Sequence, residues 1–282
     1  MKISIIGGAG RVGSHIAFKL ADEQLCEKLL LVDIVDSVFG EALDIEQSQN
    51  LKDSAEGKKV SVIASKNSED AIGSDVVIVV AGLPLSKAGT LDRSQLCSEN
   101  AKILSELLQK IKSEKTIYII ISNPVDVMTW LAAKIIGDKK RVFGVSTLTD
   151  TARLNTISDG YLIGEHAGIM IPVGTDISQE KAKELGDQVI KSKGGTWFLI
   201  SSIIAKVARA IVKDEKKQMP LSVLLEGEYG LKDVCLSVPA VLGKGGIEKI
   251  MEIDLNPEEK SKLIAAAESV RKGIDTAKKF LK

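Results

Sequence analysis

The feature that most restricts this chain stands near its beginning. Ile3-Ser4-Ile5-Ile6 runs into Gly8-Ala9-Gly10-Arg11-Val12-Gly13, after which Ile16, Ala17 and Leu20 mark one face of a helix. G-x-G-x-x-G alone is a weak signal, but between a strand and a helix it reads as a phosphate cradle. Gly8 permits the tight turn, Gly10 lets backbone approach a pyrophosphate, and Gly13 lets the helix pack on the strand. The helix N-terminus that follows favours the phosphate charge. About twenty residues beyond Gly13, Asp33 closes the apolar run Leu29-Leu30-Leu31-Val32. Its carboxylate suits two ribose hydroxyls and repels a 2'-phosphate, so these residues predict a dinucleotide-binding fold that takes NAD rather than NADP. Glycines serving only a surface turn would not account for the coincidence of strand, helix and acid.

Downstream, strand-like and helix-like segments alternate, which forces parallel pairing because each crossover consumes a helix. Strands are expected at Lys2 to Ile6, Lys28 to Asp33, Lys59 to Ile63, Asp75 to Val80 and Thr116 to Ser122. The last two are nearly continuous apolar β-formers, as in strands covered on both faces. Ile103, Leu104, Leu107, Leu108 and Ile111 recur at helical spacing, and Asp92 with Gln95 gives that helix a capping start. From about Thr147 longer helical stretches take over: Leu148 to Ile157, Gln179 to Lys191, Thr196 to Lys213 and Pro257 to Leu281. They surround strand-like pieces at Tyr161 to Ile163, Asp233 to Val238 and Ala240 to Leu242. The expected architecture is α/β: a Rossmann-type doubly wound parallel sheet over residues 1–146 and a second, α+β domain over 147–282. No linker separates the two, so they should pack together, with a cleft between them as the default ligand site.

Composition narrows the function classes. With 282 residues, 44% of them hydrophobic, the chain can fill two lobes sharing a core. Lys plus Arg (38) balances Asp plus Glu (38), so no overall field favours nucleic acid, an anionic membrane or an acidic partner. Ile3 to Ile6 is too short for a signal peptide, and no later apolar run approaches the roughly 20 residues of a spanning helix. Cys26, Cys97 and Cys235 are odd in number, far apart and without a CxxC pair. Neither a disulfide framework nor a metal site is expected, and a reducing cytoplasm is the simplest location. Only His15 and His166 are available as histidine acid/base groups; His15, inside the first helix, reads as a packing or surface residue.

Four later segments carry residue types that ask for a reason. Ala81-Gly82-Leu83-Pro84-Leu85-Ser86-Lys87-Ala88-Gly89-Thr90-Leu91-Asp92-Arg93 leaves a central strand at its carboxyl end, where open sheets bind ligands. Gly82 and Gly89 could hinge a lid; Arg93 opposes the helix dipole there and is either functional or merely solvent-facing. Ser122-Asn123-Pro124 follows another central strand, as a binding amide or a simple turn. In Thr147-Leu148-Thr149-Asp150-Thr151-Ala152-Arg153, Asp150 and Arg153 share a helical face, which an ordinary ion pair would also explain. Ile163-Gly164-Glu165-His166-Ala167-Gly168 sets a histidine among glycines after a strand, catalytic or structural.

Together these segments resemble the lactate/malate dehydrogenase family, nearly end to end. The resemblance rests on Gly8 to Gly13, Asp33, Ala81-Gly82, Arg93 with Asn100, Ser122-Asn123-Pro124-Val125-Asp126, Asp150-Thr151-Ala152-Arg153, Gly164-Glu165-His166, Lys193-Gly194-Gly195 and Gly227-Glu228-Tyr229-Gly230. It implies that His166 takes the hydroxyl proton of a 2-hydroxy acid as hydride leaves for NAD, with Asp150 orienting the imidazole. It implies that Arg153 grips the substrate carboxylate with a two-bond fork, and that Arg93 arrives on a closing lid to bind substrate and polarise the carbonyl oxygen. Asn123 would contact substrate, and with Ala81, Gly82, Asn100 and Ile121 it would line the cofactor, beside Gly8, Gly10, Arg11, Val12, Gly13 and Asp33.

The lid departs from the family. Where malate dehydrogenases carry Arg-Lys-Pro-Gly, this chain has Leu85-Ser86-Lys87-Ala88-Gly89, about two residues longer, with no arginine for a second carboxylate. Lys87 is the candidate replacement, giving malate/oxaloacetate preference with some acceptance of pyruvate; a solvent-facing loop lysine is the alternative. Ala167-Gly168 replaces the family's Gly-Asp after the histidine, and the segments flanking His166 are shorter than usual. Thr196 sits where the family lines the substrate pocket, though it could equally cap a helix; Trp197 and Phe198 are expected in the core. The resemblance thus implies a malate dehydrogenase, with L-lactate dehydrogenase and a non-catalytic NAD-binding sensor as alternatives. It further implies a place in the tricarboxylic acid cycle and a homo-oligomer, tetramer or dimer, through a helix beginning at Ser37.

Overall fold

The computed structural model describes residues 1–51, 59–83 and 92–281. Strands β1 (Lys2–Ile6), β2 (Lys28–Val32), β3 (Ser61–Ser65), β4 (Val76–Val79), β5 (Ile117–Ile120) and β6 (Val142–Gly144) form a parallel array in the order β3-β2-β1-β4-β5-β6. The order runs outward in both directions from β1, which is the doubly wound arrangement expected from the alternating pattern. Both β4 and β5 are buried along their whole length. β4 is shorter than its apolar run because Val80 and Ala81 both turn their amides onto the Ile6 carbonyl and leave the ladder. β3 lies two residues later than expected, since pairing with β2 (Lys28↔Ser61 through Val32↔Ser65) rather than hydrophobicity sets its register.

Helix α1 (Arg11–Asp22) follows β1 and α2 (Ser37–Ser48) follows β2. Helix α3 (Arg93–Ile111) starts at the expected cap: Gln95 N donates to Asp92 Oδ1 at 2.8 Å and Asp92 N donates to Gln95 Oε1 at 3.1 Å. Helix α4 (Val125–Ile136) follows β5 and is buried over most of its length.

The chain then builds α5 (Leu148–Leu154), β7 (Tyr161–Gly164), β8 (Met170–Val173), α6 (Gln179–Lys193) and α7 (Phe198–Val212). Strands β9 (Lys217–Glu226), β10 (Lys232–Gly243) and β11 (Gly246–Ile250) and helix α8 (Pro257–Ala277) complete it. The sheet continues as β6-β9-β10-β7-β8 by antiparallel pairing, joined to the parallel part at Gly144↔Ser222. Strand β9 escaped the sequence reading because Pro220 sits in it, opposite Pro239 of β10, and proline argues against an interior strand. One hydrophobic cluster extends from Ile3 and Ile5 through Val207 and Leu221 to Ile274, so both halves share a core. Among the described residues, no helix is long and apolar enough to cross a membrane.

Candidate active site

The cradle forms at the carboxyl end of β1, with a shift in the glycine roles. The left-handed residue is Gly7 (φ 94°), not Gly8; Gly8 is required because a Cβ there would lie 2.8 Å from Leu31 Cβ on β2. A Cβ on Gly13 would collide with the Gly7 carbonyl, in line with its expected packing role. Gly10 is the N-cap of α1, and the first turn carries no acid, so its amides meet no negative charge from their own helix. Asp33 braces this loop: Oδ2 accepts from Ala9 N at 3.0 Å and Oδ1 from Ile34 N at 2.8 Å. Open amides, small residues and an acid at the end of β2 fit a dinucleotide.

Two more loops leave neighbouring strands at the same end of the sheet. Ala81 and Gly82 follow β4; Ser122 and Asn123 follow β5. Ser122 Oγ donates to the Ala81 carbonyl at 2.6 Å, and Ile121 N to Val79 O at 2.9 Å. Asn100 is a buried brace between the two loops: its Nδ2 donates to Asn123 O at 2.7 Å and its Oδ1 accepts from Leu83 N at 2.8 Å. Both ends of the amide are engaged by backbone, while Asn123 is exposed and joined to Pro124 by a cis peptide bond. Lys87 lies outside the described residues, as do Leu85 and Gly89; Arg93 is the first residue of α3.

Helix α5 and the loop after β7 bring the remaining residues together. His166 Nδ1 lies 2.5 Å from Asp150 Oδ2, while Asp150 Oδ1 accepts from Arg153 Nη1 at 2.8 Å. An ionised carboxylate only accepts, so Nδ1 carries the proton and Nε2 keeps its lone pair. Asp150 is buried, Arg153 nearly so, and the imidazole is partly open. Burial alone lowers the histidine pKa, but the Asp150 charge and hydrogen bond, with Asp126 adding to them, outweigh burial and Arg153 and raise it above the usual 6.5.

Thr196 is not a helix cap, since Trp197 holds that place in α7; its Oγ1 accepts from Arg153 Nη2 at 3.1 Å. Among the described residues the buried Arg153 Nε finds no acceptor. Trp197 and Phe198 are not core: Phe198 is 63% exposed and Trp197 half-buried. They serve instead as a platform, with Lys193 Nζ 3.8 Å and Arg11 Cζ 5.2 Å from the Trp197 ring centre and His15 set edge-on to Phe198 at 5.2 Å between ring centres. The cradle residue Arg11 is thereby tied to the segment that holds Thr196.

Sequence reasoning gave no role to three residues here. Asp126 lies in the first turn of α4, and its Oδ2 accepts from His166 N at 3.0 Å while Oδ1 accepts from Ser222 Oγ at 2.6 Å. An acid inside the apolar run Val125 to Ala133 was the available signal. Ser222, on β9, and Gly186, on α6 against the Arg153 guanidinium, carried no local signal at all.

Residues 1–144 match the family described as lactate/malate dehydrogenase, NAD binding domain, and residues 145–281 match lactate/malate dehydrogenase, alpha/beta C-terminal domain. A malate dehydrogenase of Bacteroides fragilis is 33% identical, covering 96% of both chains. An L-lactate dehydrogenase of Lactobacillus acidophilus is 32% identical over 97% of this chain and 94% of that one. Among solved structures, a malate dehydrogenase from Archaeoglobus fulgidus in complex with NADH aligns with a TM-score of 0.88 at 29% identity, over 98% of this chain and 99% of that one.

Proposed function

The chain belongs to the lactate/malate dehydrogenase family and is an NAD-dependent 2-hydroxy acid dehydrogenase; from that premise we propose that it interconverts malate and oxaloacetate. When bound, NAD supplies the hydride acceptor for the substrate's C2. His166 takes the hydroxyl proton on Nε2 as that hydride leaves, and returns it in the reverse direction. Asp150 fixes the tautomer and stabilises the imidazolium that forms. Arg153 binds the C1 carboxylate, Thr196 steadies its guanidinium, and Asn123 and Arg93 complete the substrate contacts. The observation that carries this reading is the shared Asp150 carboxylate. It holds the His166 ring and one arm of Arg153 at once, while the buried Nε of Arg153 still lacks an acceptor. A substrate carboxylate is an acceptor suited to that donor.

Lys87 supplies the cation for the second carboxylate, and residues 1–146 and 147–282 act as nucleotide and substrate domains. On this reading the enzyme works in the cytoplasm in the tricarboxylic acid cycle. It assembles as a dimer or tetramer through the outer face of α2. L-lactate dehydrogenase is the second reading, favoured by one observation: no arginine stands in the lid segment that discriminates the second carboxylate. Both are tested by following NADH oxidation with oxaloacetate and pyruvate in the wild type, Lys87→Ala and His166→Asn. We expect oxaloacetate to be preferred, the preference to shrink in Lys87→Ala, and turnover to vanish in His166→Asn. Preference for pyruvate, or full turnover without the imidazole, would overturn the corresponding part.

A further inference from the structure

Asp126 is an enclosed acid in the buried first part of α4, where Val125, Val127, Met128, Thr129, Trp130 and Leu131 are its sequence neighbours. An isolated buried carboxylate is costly and persists where donors compensate it. Here the donors come from across the fold. The His166 amide reaches it from the loop after β7 at 3.0 Å, and the Ser222 hydroxyl from β9 at 2.6 Å. A backbone N–H can only donate, so Oδ2 must accept, and the first turn of α4 adds its own amide dipoles. Asp126 thus belongs to the nucleotide-binding half yet grips the main chain of a residue in the other half.

We propose that Asp126 is a positioning residue for the reaction, pinning the His166 backbone to the nucleotide-binding half and placing a second negative charge beside the imidazole. The inference rests on His166 being the acid/base group. It differs from simple satisfaction of a buried polar group in one respect, the charge. A neutral acid could satisfy the same partners by donating to Ser222; a carboxylate also stabilises the imidazolium through its charge.

The charged groups facing this pair come from several elements. Asp150 of α5 bonds the ring and Arg153, bonded to Asp150, acts on it by charge, with opposite effects on its basicity, and Glu165 precedes it in the chain as a buried acid. Cys235 of β10 is buried near Asp126, and burial pushes its thiol well above the ordinary range, so it stays neutral. The Asp126 carboxyl itself is pushed up to about 6 by burial, against hydrogen bonds from Ser222 and His166. It is therefore ionised near neutral pH, where it acts on the ring, and loses that influence on the acid side.

The test uses the scarcity of histidine. In protein labelled at histidine, His15 and His166 give separate ring signals by nuclear magnetic resonance, assigned with His15→Gln. Asp126→Asn keeps shape and removes charge. The His166 midpoint should fall by roughly half a unit to one unit. The alkaline limb of kcat/KM for keto-acid reduction should move down with it. A folded Asp126→Asn protein whose His166 midpoint stays at the wild-type value overturns the proposal. Should that variant not fold, Ser222→Ala replaces it: with one donor fewer the carboxylate protonates more readily, and the His166 midpoint should fall by a smaller amount. An unmoved midpoint there overturns the proposal equally. Because the titration is read without turnover, it is independent of the His166→Asn activity test, and the two failures remain distinguishable.

Discussion

At the scale of single residues, the chemistry depends on which effect wins at His166. Burial of the ring disfavours its charged form, yet Asp150, at 2.5 Å, reverses the balance and raises the pKa. Reduction of the keto acid needs the imidazolium, so its kcat/KM should hold up to a midpoint above 6.5 and decline as pH rises through it. Oxidation of the hydroxy acid needs the neutral ring and should rise through the same midpoint. In Asp150→Asn burial and the Arg153 charge, both of which lower the pKa, are opposed only by the weaker Asp126 effect. Both midpoints should then drop, and turnover should fall about a hundredfold or more, as judged from pH-rate profiles in both directions. A variant with wild-type midpoints would remove Asp150 from this role. His166, Asp150 and Arg153 stood out as residue types, but their spacing alone left an ordinary ion pair and a structural histidine open, and their expected roles came from the family resemblance. Asp126 was not given a role, because nothing local says that an acid in an apolar helix will meet an amide 40 positions away.

At the scale of elements, local rules carried far. The Asp92–Gln95 capping box placed the start of α3, and the apolar runs placed β4 and β5. Contacts between elements were a different matter. Gly186 in α6 shows this: a Cβ there would lie 2.9 Å from Arg153 Nη1 and 3.2 Å from its Cζ. In an isolated helix Gly→Ala stabilises by about 1 kcal/mol. Here the guanidinium cannot retreat, because Asp150 and Thr196 hold it. Gly186→Ala should therefore forfeit that gain and lower Tm, since α6 or the held guanidinium has to give way, while KM for the keto acid rises roughly tenfold to a hundredfold with NADH binding unchanged. Steady-state kinetics beside a thermal melt reads both effects; an unaltered KM would show that the space at Gly186 is not needed by Arg153.

At the scale of the whole molecule, α2 has outward apolar residues that stay exposed among the described residues. Val38, Ala42 and Ile45 are buried, but Phe39 and Leu43 are 50% and 55% exposed, and Ile34, just ahead of the helix, is 83% exposed. Exposed apolar groups gathered on one surface mark an interaction site, and a second copy of this chain is the proposed occupant. Phe39→Asp combined with Leu43→Asp should lower the mass in solution, measured by light scattering, from oligomer to monomer. A wild-type mass in the double variant would place the interface elsewhere. The amino-acid sequence by itself determined the parallel alternation, the phosphate cradle with its acid and the helix starts. Each of these is set by neighbours within a few residues or by a period along the chain. Only the tertiary structure decided that Asn100 is a brace, that Thr196 steadies Arg153, and that Trp197 and Phe198 lie outside the core. Those outcomes depend on which partners distant segments present once the chain has closed on itself, and such partners leave no mark at the positions they meet.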